Sequence, residues 1–290
     1  MKIVQITDTH ISHLGGTTNE NFAKLAEFIN DVLQPDFVVH TGDVMILDPD
    51  QAEDRRTAKE AFTALRAPYR VLPGNHDVGE TFETPWAGLH ATPERVQAFI
   101  GDFGADRFLE IVGDHAILGI DSEILAADFA EAQEQWAWLE TVPEQIGDRP
   151  TLVFGHKPVF APFEGPQEHQ MSIPAAAAER LRTLLADVDV KAWGSGHLHR
   201  YQLDRPTTAW AVSAPAAAFT AGDPTSMPGL HQLGCVEYVC EDGTVTPYFR
   251  SIPTLVEGGA MDNPVVAQAF AALGQEWPAA DEAELEAAAV

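Results

Sequence analysis

The chain has 290 residues, of which 45% are hydrophobic. That length suits one large domain or two small ones, and that apolar content excludes a disordered chain or a disulfide mini-scaffold. With 17 Lys and Arg against 44 Asp and Glu the net charge is −27; such a surface repels phosphate backbones and anionic membranes, so neither a nucleic-acid polymer nor a membrane is an expected partner.

In chain order, the first strand candidate is Lys2–Ile6, ending at Thr7-Asp8-Thr9-His10. Phe22, Leu25, Ile29 and Val32 then fall at spacings of three and four and predict a helix with one apolar stripe. Phe37–His40 reads as a strand ending at Thr41-Gly42-Asp43, and residues 52–65 as a helix with a charged face. Tyr69–Leu72 is a strand ending at Pro73-Gly74-Asn75-His76-Asp77. Thr92 followed by Pro93 signals a helix start. Strands at Ala116–Ile120, Thr151–Phe154 and Lys191–Trp193 alternate with helices at 131–140 and 174–187. These three strands end at Asp121-Ser122, Gly155-His156 and Gly194-Ser195-Gly196-His197. Short, non-alternating apolar runs of this kind suit strands buried on both faces. Thr208–Val212, Gly234–Val239 and Val245–Arg250 are further strands, the last two joined by a hairpin at Glu241-Asp242-Gly243-Thr244. The pattern predicts an α/β core with a mixed second sheet and helices outside.

Residues 1–250 are expected to form the working domain and 251–290 an acidic, Ala-rich extension without Lys or Arg. The extension should carry one or two helices, as a solvated tail, a dimer contact or a lid element. Cys235 and Cys240 are too few for a disulfide framework and read as buried thiols. The opening MKIVQITDTH turns polar too early for a signal peptide, and no apolar run reaches the ~18 residues of a membrane span. A cytoplasmic location is the expectation.

Every polar cluster follows a predicted strand, where ligand sites of open α/β sheets gather. Asp8-x-His10, Gly42-Asp43, Gly74-Asn75-His76-Asp77, Gly155-His156 and Gly196-His197-x-His199 together offer Asp, Asn and His donors and no sulfur. That set suits divalent metal ions, and it is too large for one ion with an open position. Two ions sharing a carboxylate, ~3.5–4 Å apart, can clamp the attacking and leaving oxygens of a phosphoryl displacement. Gly42, Gly74, Gly155 and Gly196 each precede a donor, where the chain is expected to turn sharply.

This ordered set resembles the calcineurin-like metallophosphoesterase superfamily over roughly residues 1–250, most closely its class III cyclic-nucleotide phosphodiesterase and glycerophosphodiesterase branch. Glu134–Leu139 (EQWAWL) is similar to that branch as well. The resemblance implies a four-layer αββα sandwich of two mixed β-sheets. It implies one ion on Asp8, His10 and His199, a second on Asn75, His156 and His197, and Asp43 bridging them. Manganese, iron, zinc and cobalt all accept these ligands. His76 is not expected to be a ligand; by resemblance it faces the substrate phosphate and assists catalysis. Purple acid phosphatases carry a Tyr three residues after the bridging Asp, where this chain has Ile46. Protein phosphatases extend Gly-Asp with Asp-Arg-Gly and close the next motif with Glu, whereas here Val44-Met45-Ile46 follows and Asp77 closes the tetrad.

The expected activity is hydrolysis of a small phosphodiester, a cyclic nucleotide or a glycerophosphodiester, by a metal-bridged hydroxide. A phosphomonoesterase or nucleotidase on the same site is the first rival. A nuclease is weakened by the net charge, and a metal-bound interaction module stands as the non-enzymatic alternative. By resemblance the protein could form a homodimer. Among the remaining polar residues, His13 reads as a surface group or one that touches substrate or metal-bound water, His40 as a core histidine or one that supports a ligand, for example by bonding its carboxylate, and Lys157 and Arg200 as solvated, salt-bridged or phosphate-contacting cations. Asp77 either orients His76 or caps the following turn, and Phe82 and Trp86 pack or cover the site. His90, His115, His169 and His231 carry no motif and read as structural.

Overall fold

The computed structural model describes residues 1–81, 89–162, 171–222 and 228–274. Phe82, Trp86 and His169 lie outside them. The strands and helices run β1 (Lys2–Ile6), α1 (Thr17–Phe28), β2 (Phe37–Thr41), α2 (Ala52–Phe62), β3 (Tyr69–Leu72), α3 (Asn75–Val78), α4 (Pro93–Phe103), β4 (Phe108–Val112) and β5 (His115–Gly119). They continue with α5 (Ala130–Leu139), α6 (Val142–Ile146), β6 (Thr151–Phe154), α7 (Ala175–Leu184), β7 (Val190–Ser195), β8 (Gln202–Asp204), β9 (Trp210–Ser213), β10 (Gly234–Glu241), β11 (Thr244–Ser251) and α8 (Pro264–Ala272). One sheet has the order β11-β10-β1-β2-β3 and the other β4-β5-β6-β7-β9-β8. Both are mixed: β1, β2 and β3 are parallel with β10 antiparallel to β1, while β5, β6, β7 and β9 are parallel between antiparallel edges β4 and β8.

Residue alternation builds four layers. Val4, Ile6, Val38 and Val71 face outward from the first sheet and pack on Phe22 and Leu25 of α1, Phe62 of α2 and Phe99 of α4. Their neighbours Ile3, Phe37, Val39 and Leu72 face inward and meet Ile117, Leu152, Phe154 and Ala192 of the second sheet. Leu118, Val153 and Trp193 face the other way, onto Trp136 and Leu139 of α5, Ile146 of α6 and Leu181 of α7. Burial on both faces explains why these strands are largely apolar rather than alternating.

The expected elements are present with ends shifted by a residue or a few. Thr92 Oγ1 accepts from Arg95 N at 3.3 Å, with Pro93 in the first turn, so α4 starts where the sequence signalled it. The β10–β11 hairpin turns through Asp242 and Gly243, both at positive φ, the geometry a two-residue turn requires. Val32 departs from its expected place. After α1 the chain passes into a π-turn, Ile29–Leu33, with Gln34 N bonding Ile29 O at 2.8 Å. That wider turn puts Leu33 on the buried stripe and leaves Val32 61% exposed. Strands β4 and β8 and the five-residue α6 have no counterpart in the sequence reading. The first two are half-exposed edge strands, and α6 is too short to set a period. No helix among the described residues is long and apolar enough to cross a membrane. Both cysteines are free and buried.

After β11, α8 opens with Asn263 Oδ1 accepting from Val265 N and Pro264 in its first turn. Val265, Val266, Ala269 and Phe270 pack on Ile46, Leu47, Ala218 and Phe219.

Candidate metal centre

The loops after β1, β2, β3, β6 and β7 converge and bring all eight predicted residues together. Asp8, His10, Asp43 and His199 form one group of donor atoms lying within 4.8 Å of one another, and Asp43, His156 and His197 form a second. Asp43 belongs to both. Its Oδ2 lies 3.9 Å from His10 Nε2, 3.3 Å from His156 Nε2 and 3.8 Å from His76 Nε2. Asn75 joins the second group, its Oδ1 lying 3.0 Å from His156 Nε2 and 3.1 Å from His197 Nδ1. Asp8, His10, Asp43, His156, His197 and His199 are buried, whereas Asn75 and His76 are partly exposed and mark the mouth.

Backbone carbonyls fix which ring nitrogen points inward. His10 Nδ1 donates to Ile46 O at 3.2 Å, His199 Nδ1 to Phe219 O at 2.8 Å and His156 Nδ1 to Thr41 O at 2.8 Å. His10 Nε2 and His199 Nε2 are thereby left 3.1 Å apart, lone pair facing lone pair unless a proton or cation lies between them. Asp8 Oδ1 is buried without a hydrogen-bond partner, although His199 Nε2 is 3.2 Å away. Converging lone pairs and a buried carboxylate oxygen without a hydrogen-bond partner are what a bound cation relieves. The donor set fits divalent metal ions.

Electrostatics agree. Burial alone would raise Asp8 and Asp43, yet both fall, Asp8 to about 2 beside His199 and Asp43 well below the carboxylate range beside His156 and His76. The same contacts overcome burial and lift His156 to about 10, and they raise His199. Burial drives His10 down to about 3, helped by His76 and His199, and burial with the Lys157 charge lowers His197. Without metal, imidazolium protons carry the positive charge that two buried carboxylates demand.

Strain is concentrated here. Of the seven non-glycine residues at positive φ among the described residues, five are Asp8, His10, Asp43, His197 and His199. The sequence reading placed the sharp turns on the preceding glycines, but only Gly42 of those four has positive φ. Asp8, His10, Asp43, His197 and His199 take the left-handed turn themselves, whereas Asn75 and His156 do not. Gly74 is needed for close approach instead: a Cβ there would lie 2.3 Å from Asp43 Oδ1 and 2.4 Å from Asp43 N.

The Asp77 carboxylate does not orient the His76 ring, whose Nδ1 bonds Ile46 O. The carboxylate instead accepts from Gly74 N at 2.8 Å, Val44 N at 3.1 Å and Met45 N at 3.0 Å, tying the loop after Asp43 to the turn before Asn75. Asp77→Ala is expected to leave three buried N–H groups unpaired and to cost about 3 kcal/mol or more, at about 1–3 kcal/mol for each group. Urea unfolding of the metal-free protein checks this, and a change under 1 kcal/mol would contradict it.

His40 is buried, bonding Thr9 Oγ1 at 2.9 Å and accepting from Gly42 N at 3.2 Å. It ties the loops of Asp8 and Asp43 through their neighbours and does not bond a carboxylate. His13 turns to Asp54, with Nδ1 2.7 Å from Oδ1. Lys157 is buried against Glu80 at 2.5 Å and Glu123 at 3.3 Å, and Arg200 is fully buried. The supporting groups missed from sequence are Ile46, Thr41 and Phe219. They act through main-chain carbonyls, which residue identity does not announce.

A two-sheet sandwich with an Asp/His cluster at its strand ends, one carboxylate shared between two donor groups, defines a metal-binding α/β protein. The calcineurin-like phosphoesterase family model matches residues 1–201, and the chain belongs to that family. It is 30% identical over 270 residues to the 3′,5′-cyclic adenosine monophosphate phosphodiesterase CpdA of Escherichia coli strain K12, a match covering 85% of this chain and 88% of that one. It is 29% identical over 222 residues to the probable glycerophosphodiester phosphodiesterase GpdQ of Arcobacter nitrofigilis, over 72% of this chain and 74% of that one. Among solved structures, the purple acid phosphatase PPD1 of yellow lupin shares the fold at a TM-score of 0.65 and 14% identity, over 88% of this chain and 52% of that one. The protein is a metal-dependent phosphoric ester hydrolase with phosphodiesterase relatives.

Proposed function

We propose that the protein is a dinuclear phosphodiesterase acting on small phosphodiesters, a cyclic nucleotide or a glycerophosphodiester. The observation that carries this reading is the membership of Asp43 in both donor groups. In it, Asp8, His10 and His199 would hold one ion, Asn75, His156 and His197 the other, and Asp43 both. Bound divalent ions supply Lewis acidity and a nucleophile at neutral pH. The chain's own part is orientation: carbonyls of Ile46, Phe219 and Thr41 lock three imidazoles with the working nitrogen inward.

His76 is the candidate catalytic residue. Its N–H donates to Asp43 Oδ1 at 3.0 Å and its Nδ1 to Ile46 O at 3.0 Å, leaving Nε2 at the mouth of the site. From there it can meet charge developing on the phosphoryl group or hand a proton to the leaving oxygen. The names of the relatives CpdA and GpdQ support a diester substrate for this site.

The test is hydrolysis of bis-p-nitrophenyl phosphate beside p-nitrophenyl phosphate by metal-stripped protein with Mn²⁺ restored. Diester preference is the expected result. Monoester preference would move the assignment to a phosphatase or nucleotidase, and an absence of metal-dependent turnover on both would remove it.

A further inference from the structure

The chain beyond β11 returns to the loops that orient part of the metal centre. Thr220 N donates to Gly258 O at 2.9 Å and Ala260 N to Thr220 O at 2.8 Å, so the segment before α8 is hydrogen-bonded to the residue after Phe219. Asn21 adds a second tie, donating to Ala218 O and Val256 O and accepting from Val256 N at 2.8 Å. On this support α8 presses Val265, Val266, Ala269 and Phe270 against Ile46 and Phe219. These are the residues whose carbonyls hold His10 and His199. The Phe219 ring also stacks on His10, 4.6 Å between centroids with 25° between planes.

The second donor group is built differently. His156 is held by Thr41 at the end of β2, and the His197 backbone N–H donates to Asp8 Oδ2 at 3.2 Å. None of the residues in the α8 apolar cluster supplies these bonds.

We propose that α8 is a positioning element for one half of the metal centre, the half formed by Asp8, His10 and His199. The inference rests on the dinuclear reading above. Close packing transmits displacement: when the helix loosens, Ile46 and Phe219 relax and two imidazoles lose their fixed aim. The ion on Asn75, His156 and His197 keeps its support. α8 thus sets the relative occupancy of the two ions, without touching either.

The experiment is calorimetric titration of Mn²⁺ into metal-stripped full-length protein, comparing wild type with Phe270→Ala, Val266→Ala and the conservative Phe270→Leu. His199→Ala and His156→Ala assign the two binding events. Phe270→Ala is expected to weaken the event lost in His199→Ala by roughly tenfold, the usual effect of removing an outer-shell support. The other event should stay unchanged. Val266→Ala should give a smaller loss of the same selectivity, and Phe270→Leu should restore most of the affinity. Val266→Ala carries the test should Phe270→Ala fail to fold by circular dichroism. Equal weakening of both events, or a lowered Tm with both affinities intact, would overturn the proposal. A wild type binding fewer than two ions would overturn the dinuclear reading itself, and the proposal with it.

Discussion

Asp43→Asn is expected to lower kcat/KM by roughly 10³-fold or more, about 4 kcal/mol of transition-state stabilisation. Among the described residues, Asp43 is the carboxylate that belongs to both donor groups, so a single charge removal acts on two ions. Metal content by elemental analysis should fall with activity. An Asn at this position keeps the side-chain shape and the acceptor for His76 N, so a folding defect should not confound the result. The metal-free protein offers a second readout. Asp43 is the main group raising His156 to about 10, against burial, which lowers it. A folded-state pKa above the unfolded value of about 6.5 means stability that is full below about pH 6.5 and lost as pH rises through 10. Metal-free wild type should therefore melt at lower temperature at pH 9.5 than at pH 6.5, and Asp43→Asn should flatten that slope. A variant that retains two ions and near wild-type turnover would refute the shared role of Asp43.

His76→Ala is expected to leave both ions bound and to cost roughly 10²–10⁴-fold in turnover, the range for a positioned acid–base group. Its Nδ1 is spent on Ile46 O, so Nε2 is the atom at stake. The leaving group separates its two roles. p-Nitrophenolate departs without a proton, whereas an alkoxide needs one. If His76 protonates the leaving oxygen, the loss on an alkyl diester should exceed the loss on bis-p-nitrophenyl phosphate by at least tenfold. Equal losses would make His76 an electrostatic group for the phosphoryl oxygens. An unchanged rate on both substrates would remove it from the chemistry.

The sequence carried the fold wherever burial dictated composition. Strands such as Lys2–Ile6 and Thr151–Phe154 are covered on both faces and read as apolar runs. β4 and β8 lie at sheet edges, where half the surface meets solvent, and left no such trace. The π-turn after α1 was invisible because one extra residue per turn leaves the apolar composition unchanged and moves only Leu33 and Val32. At the site, the donors were legible because metal chemistry restricts residue type. Their supports were not. Ile46, Thr41 and Phe219 work through carbonyls that any residue possesses, and Asp77 could be read two ways until its three N–H partners were located. Left-handed backbone at Asp8, His10, Asp43, His197 and His199 was likewise hidden, since none of these is glycine.

The pairing of β1 with β10 has a consequence for synthesis on the ribosome. β1 lies between β10 and β2, yet most of the chain separates it from β10. While the polypeptide emerges, one edge of a strand with three apolar residues, Ile3, Val4 and Ile6, stays unpaired, a template for contact with other nascent chains. Neither donor group is complete at that stage, because His156, His197 and His199 have yet to appear. A chain interrupted near its middle therefore has a sticky edge and no complete donor group, so truncated products should be cleared as aggregates rather than persist as metal-scavenging fragments. Final closure by β10 comes only after the last donor, His199, has been made.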